Sequence, residues 1–491
     1  MSMSPALILG IIASYFLLLI VISILTSRNA NSEGFFLGNR KSPWFVVAFG
    51  MLGASLSGVT FISVPGWVQD TQMTYMQMVL GYVVGYFTIA HLLLPIYYKL
   101  NLTSIYTYLD NRFGISSYKT GSAFFLLSRT IGASFRLFIV ATVLQVVIFD
   151  AWNVPFFVTV LVTIVFIWLY TFRGGIKTII WTDTLQTAFL LLAVIITIIM
   201  IGKELDLGLL GMAKAVSDSQ MSRIFVFDDW VSKQHFLKQF VSGAFITIVM
   251  TGLDQDMMQK NLSCRNLKDA QKNMKWYGIA FVPANLLFMS LGVLLMLFAQ
   301  SKGIAPDSEL IHADKLYPYL AAEYLGPVVM IFFILGLMAS AYSSADSALT
   351  ALTTSFTVDI LNAGKKEEKR LKKIRTLVHI MFSVILMLVI IVFRIINDKS
   401  VVDAIFTVAG YTYGPLLGMF AFGLLTKKQI RDKLVPIIAI LSPLISLGLY
   451  YLVKYLANGY KLGYEILLIN GLICFVGLYL ISFRNNRSKS P

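Results

Sequence analysis

The chain has 491 residues, 57% of them hydrophobic and only 13% charged, with a net charge of +15. A soluble domain carries about 25% charged residues, so this composition excludes an ordinary soluble protein, a disordered chain and a collagen. Cys264 and Cys474 are too few for a disulfide framework, and His91, His235, His312 and His379 are scattered too widely for a zinc motif.

What remains is a polytopic membrane protein. A hydrocarbon core of about 30 Å takes about 20 apolar residues as helix. Roughly thirteen such stretches follow one another: 5–26, 44–66, 77–98, 121–149, 154–171, 180–202, 236–255, 277–299, 325–361, 376–394, 402–425, 434–453 and 463–483. Stretch 5–26 lacks a basic n-region before it and a small-residue cleavage site after it, so it reads as a retained first helix with its N-terminus outside. The second stretch holds Gly50, Gly53, Gly58, Ser55, Ser57, Ser63, Thr60 and Pro65. That content weakens a helix. It fits either close packing through small residues or a discontinuous helix whose freed carbonyls face a cavity.

In the fourth stretch Arg129 and Arg136 stand two turns apart on one face with Gly132 between them. Arg136 lies too deep to snorkel easily, so it needs an acid, carbonyls or a bound anion. The sixth stretch opens with Gly174-Gly175 and carries Asp183 and Gln186 on one helix face. The seventh stretch, with Ser242, Gly243, Thr247, Thr251 and Gly252, is as weakened as the second. Asp254 and Asp256 at its end read as gate or structural residues. In the ninth, Ser340, Ser343, Ser344 and Ser347 form one stripe of hydroxyls beside Asp346. Hard cations prefer such oxygen ligands, and Asp183 and Asp346 are predicted at similar depth.

Charge placement orients the spans. With the N-terminus outside, the segments 27–43, 99–120, 172–179, 256–275, 362–375, 426–433 and the C-terminal tail face the cytoplasm. They hold 27 of the 40 Lys and Arg. This is the positive-inside asymmetry, and it answers the net charge without invoking nucleic acid. The long outer loops 203–235 and 301–324 are candidates for short helices or lids. Phosphate-binding glycine loops, zinc-protease motifs and nucleophile elbows are missing from the sequence, so no enzyme is expected. The second and seventh stretches lie five segments apart, an odd number. Units 44–202 and 236–425 are therefore expected to be inverted repeats, with 5–26 before them and two further helices over 434–483 after them. Paired interrupted helices point to a secondary transporter with its site at the midplane.

Several strings resemble the sodium:solute symporter family: Gly174-Gly175 with Trp181-Thr182-Asp183 and Gln186; Ser343-Ser344-Ala345-Asp346-Ser347 with Asp359-Ile360-Leu361; Ser57 with Thr60-Phe61-Ile62-Ser63-Val64-Pro65; Thr103-Ser104-Ile105-Tyr106-Thr107-Tyr108-Leu109 with Arg112-Phe113; and Gln255-Asp256 with Gln259. The resemblance runs over roughly residues 30 to 430. It implies an all-α polytopic membrane protein with a LeuT-type core of five plus five inverted helices, and solute uptake driven by Na⁺. It also implies a first Na⁺ site from the carbonyls of Gly53, Leu56 and Ser340 and the hydroxyls of Ser343 and Ser344. A second cation site would use Asp183, Ser343, Asp346 and Ser347, where Asp346 departs from the family's serine.

Substrate contacts are implied for Ser57, Thr60, Tyr75, Val79, Arg129, Gly132 and Arg136. Ser57 and Thr60 are closest to the bacterial sialic-acid branch. However, that branch's glutamine falls on Val79 and its carboxylate-binding arginine on Gly132. An acidic sugar or another carboxylate is the expected solute; a neutral sugar, an amino acid, a vitamin or an inorganic anion stays open, as does a solute-sensing receptor on the same fold. A monomer in the plasma membrane is expected.

Overall fold

Apolar runs with no partner but lipid close their backbone hydrogen bonds within each segment, and the chain accordingly folds as helices. The computed structural model describes residues 5–27, 31–171, 175–306, 308–309, 311–396, 401–456 and 462–483. Gly174 and the tail beyond Phe483 lie outside the described residues. Among the described residues, eight helices are long and apolar enough to cross a membrane. Three further pairs pass the same test together although bent, and two more apolar helices are shorter. Two-residue strands, Gln429–Ile430 and Ser482–Phe483, pair antiparallel beside this helical framework.

The spans are α1 (Pro5–Ser27), the bent pair α2 (Trp44–Ser55) and α3 (Gly58–Thr71), α4 (Tyr75–Thr88, running on to Lys99), α5 (Ile115–Leu144), α6 (Phe156–Thr171) and α7 (Ile176–Glu204). Then come the bent pair α8 (Phe236–Thr247, running on to Gly252) and α9 (Gln255–Leu262), followed by α10 (Leu267–Ser301), α11 (Gly326–Ser355) and α12 (Glu368–Ile396). A third bent pair, α13 (Val401–Thr412) with α14 (Gly414–Leu425), precedes α15 (Val435–Leu456) and α16 (Ile466–Leu480). The loops 203–235 and 301–324, expected on the outside, carry short helices, Leu209–Ser217 and Leu316–Glu323.

The bends are 56° between α2 and α3, 65° between α8 and α9, and 42° between α13 and α14. The first two fall at the glycine- and hydroxyl-rich stretches. The third is legible only in the fold. There Asn470 of α16 donates to the freed carbonyls of Gly410 (3.0 Å) and Tyr411 (2.8 Å).

Small residues bring the helices close. Cβ atoms at Gly81 of α4 and Gly243 of α8 would run into the backbone carbonyls of Phe240 and Met78 respectively. α2 packs on α7 in the same way: a Cβ at Gly53 would overlap the Thr187 hydroxyl, which itself donates to Phe49 O (2.9 Å) and Asp183 O (2.7 Å).

The segments expected on one side do meet each other. Ser32 binds Glu368 (2.7 Å), Ser42 N–H donates to Ser263 O (3.1 Å), and Arg112 donates to the carbonyls of Thr426 and Lys428 (both 2.8 Å). Asp359 accepts from Ser104 (2.8 Å) and Tyr118 (2.9 Å). At the other end Gln69 reaches Pro306, and Gln72 reaches Gln220 (2.9 Å). One boundary differs from expectation. Residues 256–262, read as part of a cytoplasmic loop, instead form the buried helix α9, because Asp254 caps it by accepting from the N–H groups of Asp256 (2.9 Å) and Met257 (3.4 Å).

Candidate functional site

The α2–α3 break sets the first half of the site. The chain leaves the helix at Leu56 (φ −76°, ψ 59°) and resumes at Gly58. A helix end leaves carbonyls without intrahelical donors, and among the described residues no hydrogen bond reaches the carbonyls of Gly53 or Leu56. α11 lies against this break. A Cβ on Gly58 would sit 3.5 Å from Ser340 Oγ, and Ser344 Oγ donates to Ala54 O (3.0 Å).

The four serines of the stripe divide in two. Ser340 and Ser347 bond back onto their own helix, to Leu337 O (2.8 Å) and Ser343 O (3.0 Å). Ser343 and Ser344 instead turn outward, Ser344 to the break and Ser343 to Asp183 Oδ1 (2.8 Å). Unlike the Gly53 and Leu56 carbonyls, that of Ser340 lies inside an unbroken helix.

The acids expected to form the second cation site are engaged by protein donors. Asp183 is fully buried on α7; its Oδ2 accepts from Lys260 Nζ at 2.7 Å, and Lys260 is 1% exposed. Asp346 is also buried; its Oδ2 accepts from Tyr170 (2.8 Å) and its Oδ1 from the Ser347 N–H (2.5 Å). Each oxygen of both carboxylates therefore has a protein donor. Sequence reasoning missed Lys260 because it counted this residue among the cytoplasmic basic side chains. The signal that could have found it was the acid-capped start of α9 at Asp254.

A cavity opens beside the break. Ser57, Thr60, Tyr75, Arg129 and Arg136 line it, as do the aromatic residues Trp67, Tyr82, Tyr86, Tyr277 and Phe281. The tyrosine hydroxyls form pairs: Tyr75 with Tyr82 (3.2 Å) and Tyr86 with Tyr277 (2.8 Å), the latter also bonded to Ser55 (2.5 Å). Arg129 ion-pairs with Asp256, and its Nη1 is 3.9 Å from Asp254 Oδ2. Tyr413 at the third bend donates to that same Asp254 oxygen (2.5 Å). Arg136 makes no ion pair and no hydrogen bond among the described residues.

Two expected contacts fall outside this cavity. Val79 is fully buried in the body of α4, whose neighbours Met78 and Gly81 press on the backbone of α8. Gly132 lines instead a small adjoining space shared with Arg129, Arg136 and Tyr413.

A helix broken inside a bundle, a hydroxyl turned into the break and a polar cavity beside it are the features of a secondary transporter. Residues 35–432 match the sodium:solute symporter family, and the chain belongs to that family. Among curated relatives it is 24% identical to the sodium/sialic acid symporter NanT of Aliivibrio fischeri, over 82% of this chain and 79% of that one. It is also 24% identical to the sodium/sialic acid symporter SiaT of Proteus mirabilis, over 85% of each chain. A solved outward-open, substrate-bound Na⁺-coupled sialic acid symporter superposes with a TM-score of 0.81 at 18% identity, covering 97% of this chain and 99% of that one. The fold is thus the LeuT-type helical core. The protein is a multi-pass membrane transporter that couples a small solute to Na⁺, and it is not an enzyme.

Proposed function

We propose that this protein imports an acidic solute, of the acidic-sugar class that includes sialic acid, together with Na⁺. The observation that carries the reading is Arg136, a guanidinium in an aromatic and hydroxyl-lined cavity with no carboxylate partner among the described residues. Arg136 is partly exposed to the cavity, so its donors are open to an anion there, and a guanidinium fork matches a carboxylate. Ser57, Thr60 and Tyr75 offer hydroxyls to a sugar, and the tyrosine rings offer flat apolar faces. The names of NanT and SiaT, both sialic acid symporters, point the same way.

Na⁺ is assigned to the α2–α3 break, with the carbonyls of Gly53, Leu56 and Ser340 and the hydroxyls of Ser343 and Ser344 as ligands. An ion there ties α11 to the broken helix that also forms the cavity wall. Binding of Na⁺ and of solute is then coupled, and by linkage each raises the affinity of the other. Arg129 with Asp256 and Asp254 closes the cavity floor. The units 44–202 and 236–425 are read as inverted repeats because each begins with a bent helix pair. A monomeric transport unit is part of the same reading. The basic segments gathered at one end support a plasma membrane orientation with the N-terminus outside.

The test is thermal unfolding of the purified protein with sialic acid, other sugar acids, neutral sugars and amino acids, each in NaCl and in KCl. Acidic sugars should raise the melting temperature in NaCl and much less in KCl. A rise only with neutral solutes would overturn the acidic-solute reading.

A further inference from the structure

Asp183 and Lys260 come from opposite halves of the chain, and the fold brings them together with both side chains buried. Lys260 is delivered by α9, a helix of eight residues fixed at both ends. Asp254 caps its start, and near its finish Gln259 donates to Phe36 O (2.6 Å) and Thr354 Oγ1 (3.0 Å). On the far side of the acid, α2 leaves no spare room: a Cβ at Gly50 would lie 3.0 Å from Asp183 Cβ. The carboxylate is therefore enclosed by α2, by Ser343 on Oδ1 and by the ammonium on Oδ2.

We propose that Lys260 is a tethered cation standing where a mobile one would otherwise bind Asp183, so that Asp183 is not a sodium ligand and each chain binds one Na⁺, at the α2–α3 break. A buried carboxylate needs a compensating positive charge, and Lys260 supplies it permanently. An ammonium has only donors and no lone pair to offer a metal, so it cannot share a coordination shell. A Na⁺ on either Asp183 oxygen would lie close to the buried Nζ, and the two like charges would repel. Asp346 is oriented by Tyr170 and the Ser347 N–H, and among the described residues no hydrogen bond or ion pair joins it to Asp183 or Lys260.

This inference rests on the assignment of Na⁺ to the break, and the experiment separates the two. Bound radioactive Na⁺ per chain is counted on the full-length protein in detergent, without solute, for wild type, Ser344→Ala, Lys260→Met and the pair Lys260→Met with Asp183→Asn. The wild type should bind one Na⁺ with a Hill coefficient of one. Lys260→Met should gain a second Na⁺, and the neutral pair should return to one. The pair also serves where the single variant fails to fold, because it leaves no unpaired charge. Two Na⁺ on the wild type, or no gain in a folded Lys260→Met, would overturn the tethered-cation role. Undiminished binding in Ser344→Ala would instead overturn the assignment to the break, whatever Lys260 does.

Discussion

Arg129 and Arg136 stand seven residues apart on one face of α5, yet Arg129 meets Asp256 while Arg136 pairs with no acid among the described residues. About one turn on either side of Gly132 separates the paired arginine from the one left open to the cavity. The acids that neutralise Arg129 sit at the α8–α9 bend, and the bend reaches only the lower arginine.

The two arginines should therefore fail differently. Arg136→Gln should weaken binding of an acidic solute by about 1.5–3 kcal/mol, the range for a hydrogen bond to a charged group, and leave the melting temperature of the solute-free protein nearly unchanged. Arg129→Gln leaves buried acids unpaired, which costs about 3–5 kcal/mol of stability. Adding Asp256→Asn should restore part of it. Calorimetric titration and thermal unfolding of the three variants check both statements, and equal affinity losses without any loss of stability would contradict them.

Replacing NaCl by KCl should lower the melting temperature of the wild type, since a ligand at 100 times its dissociation constant stabilises the fold by about 2.7 kcal/mol. Ser343→Ala with Ser344→Ala should melt at one temperature in both salts. A double variant that keeps the sodium-dependent shift would place the ion elsewhere.

Close approach of α2 to α7 depends on Gly53. Gly53→Ala should destabilise by about 1–3 kcal/mol, as overpacking does, and also weaken sodium binding by moving the break. Thr187→Ala removes the hydroxyl in the way and should recover part of both effects. Chemical unfolding of the single and double variants measures the coupling; additive losses would mean that the helices adjust independently.

Asp432 lies far from the cavity and caps α5, accepting from the N–H groups of Ser116 and Ser117 (both 2.8 Å) and from the Ser117 hydroxyl (2.6 Å). Asp432→Ala should cost roughly 0.5–2 kcal/mol, the usual range for a lost helix cap. Solute affinity should stay the same, and a loss of affinity larger than the loss of stability would tie this end of α5 to the cavity.

The membrane class and the apolar stretches that become helices were legible in the sequence, because hydropathy acts within each segment. The interruption around Leu56 was legible for the same reason: Gly50, Gly53, Ser55, Ser57, Gly58 and Pro65 weaken their own helix whatever surrounds it. The stripe of Ser340, Ser343, Ser344 and Ser347 follows from helical periodicity alone. Only the tertiary structure decided which of those hydroxyls leave their helix, that Arg129 rather than Arg136 is neutralised, that Val79 turns away from the cavity, and that Lys260 reaches Asp183 from 77 residues away. These choices depend on which helix faces touch across the bundle. A charge buried by one helix takes its partner from another, and that pairing is written in the packing and not in the local pattern of either segment.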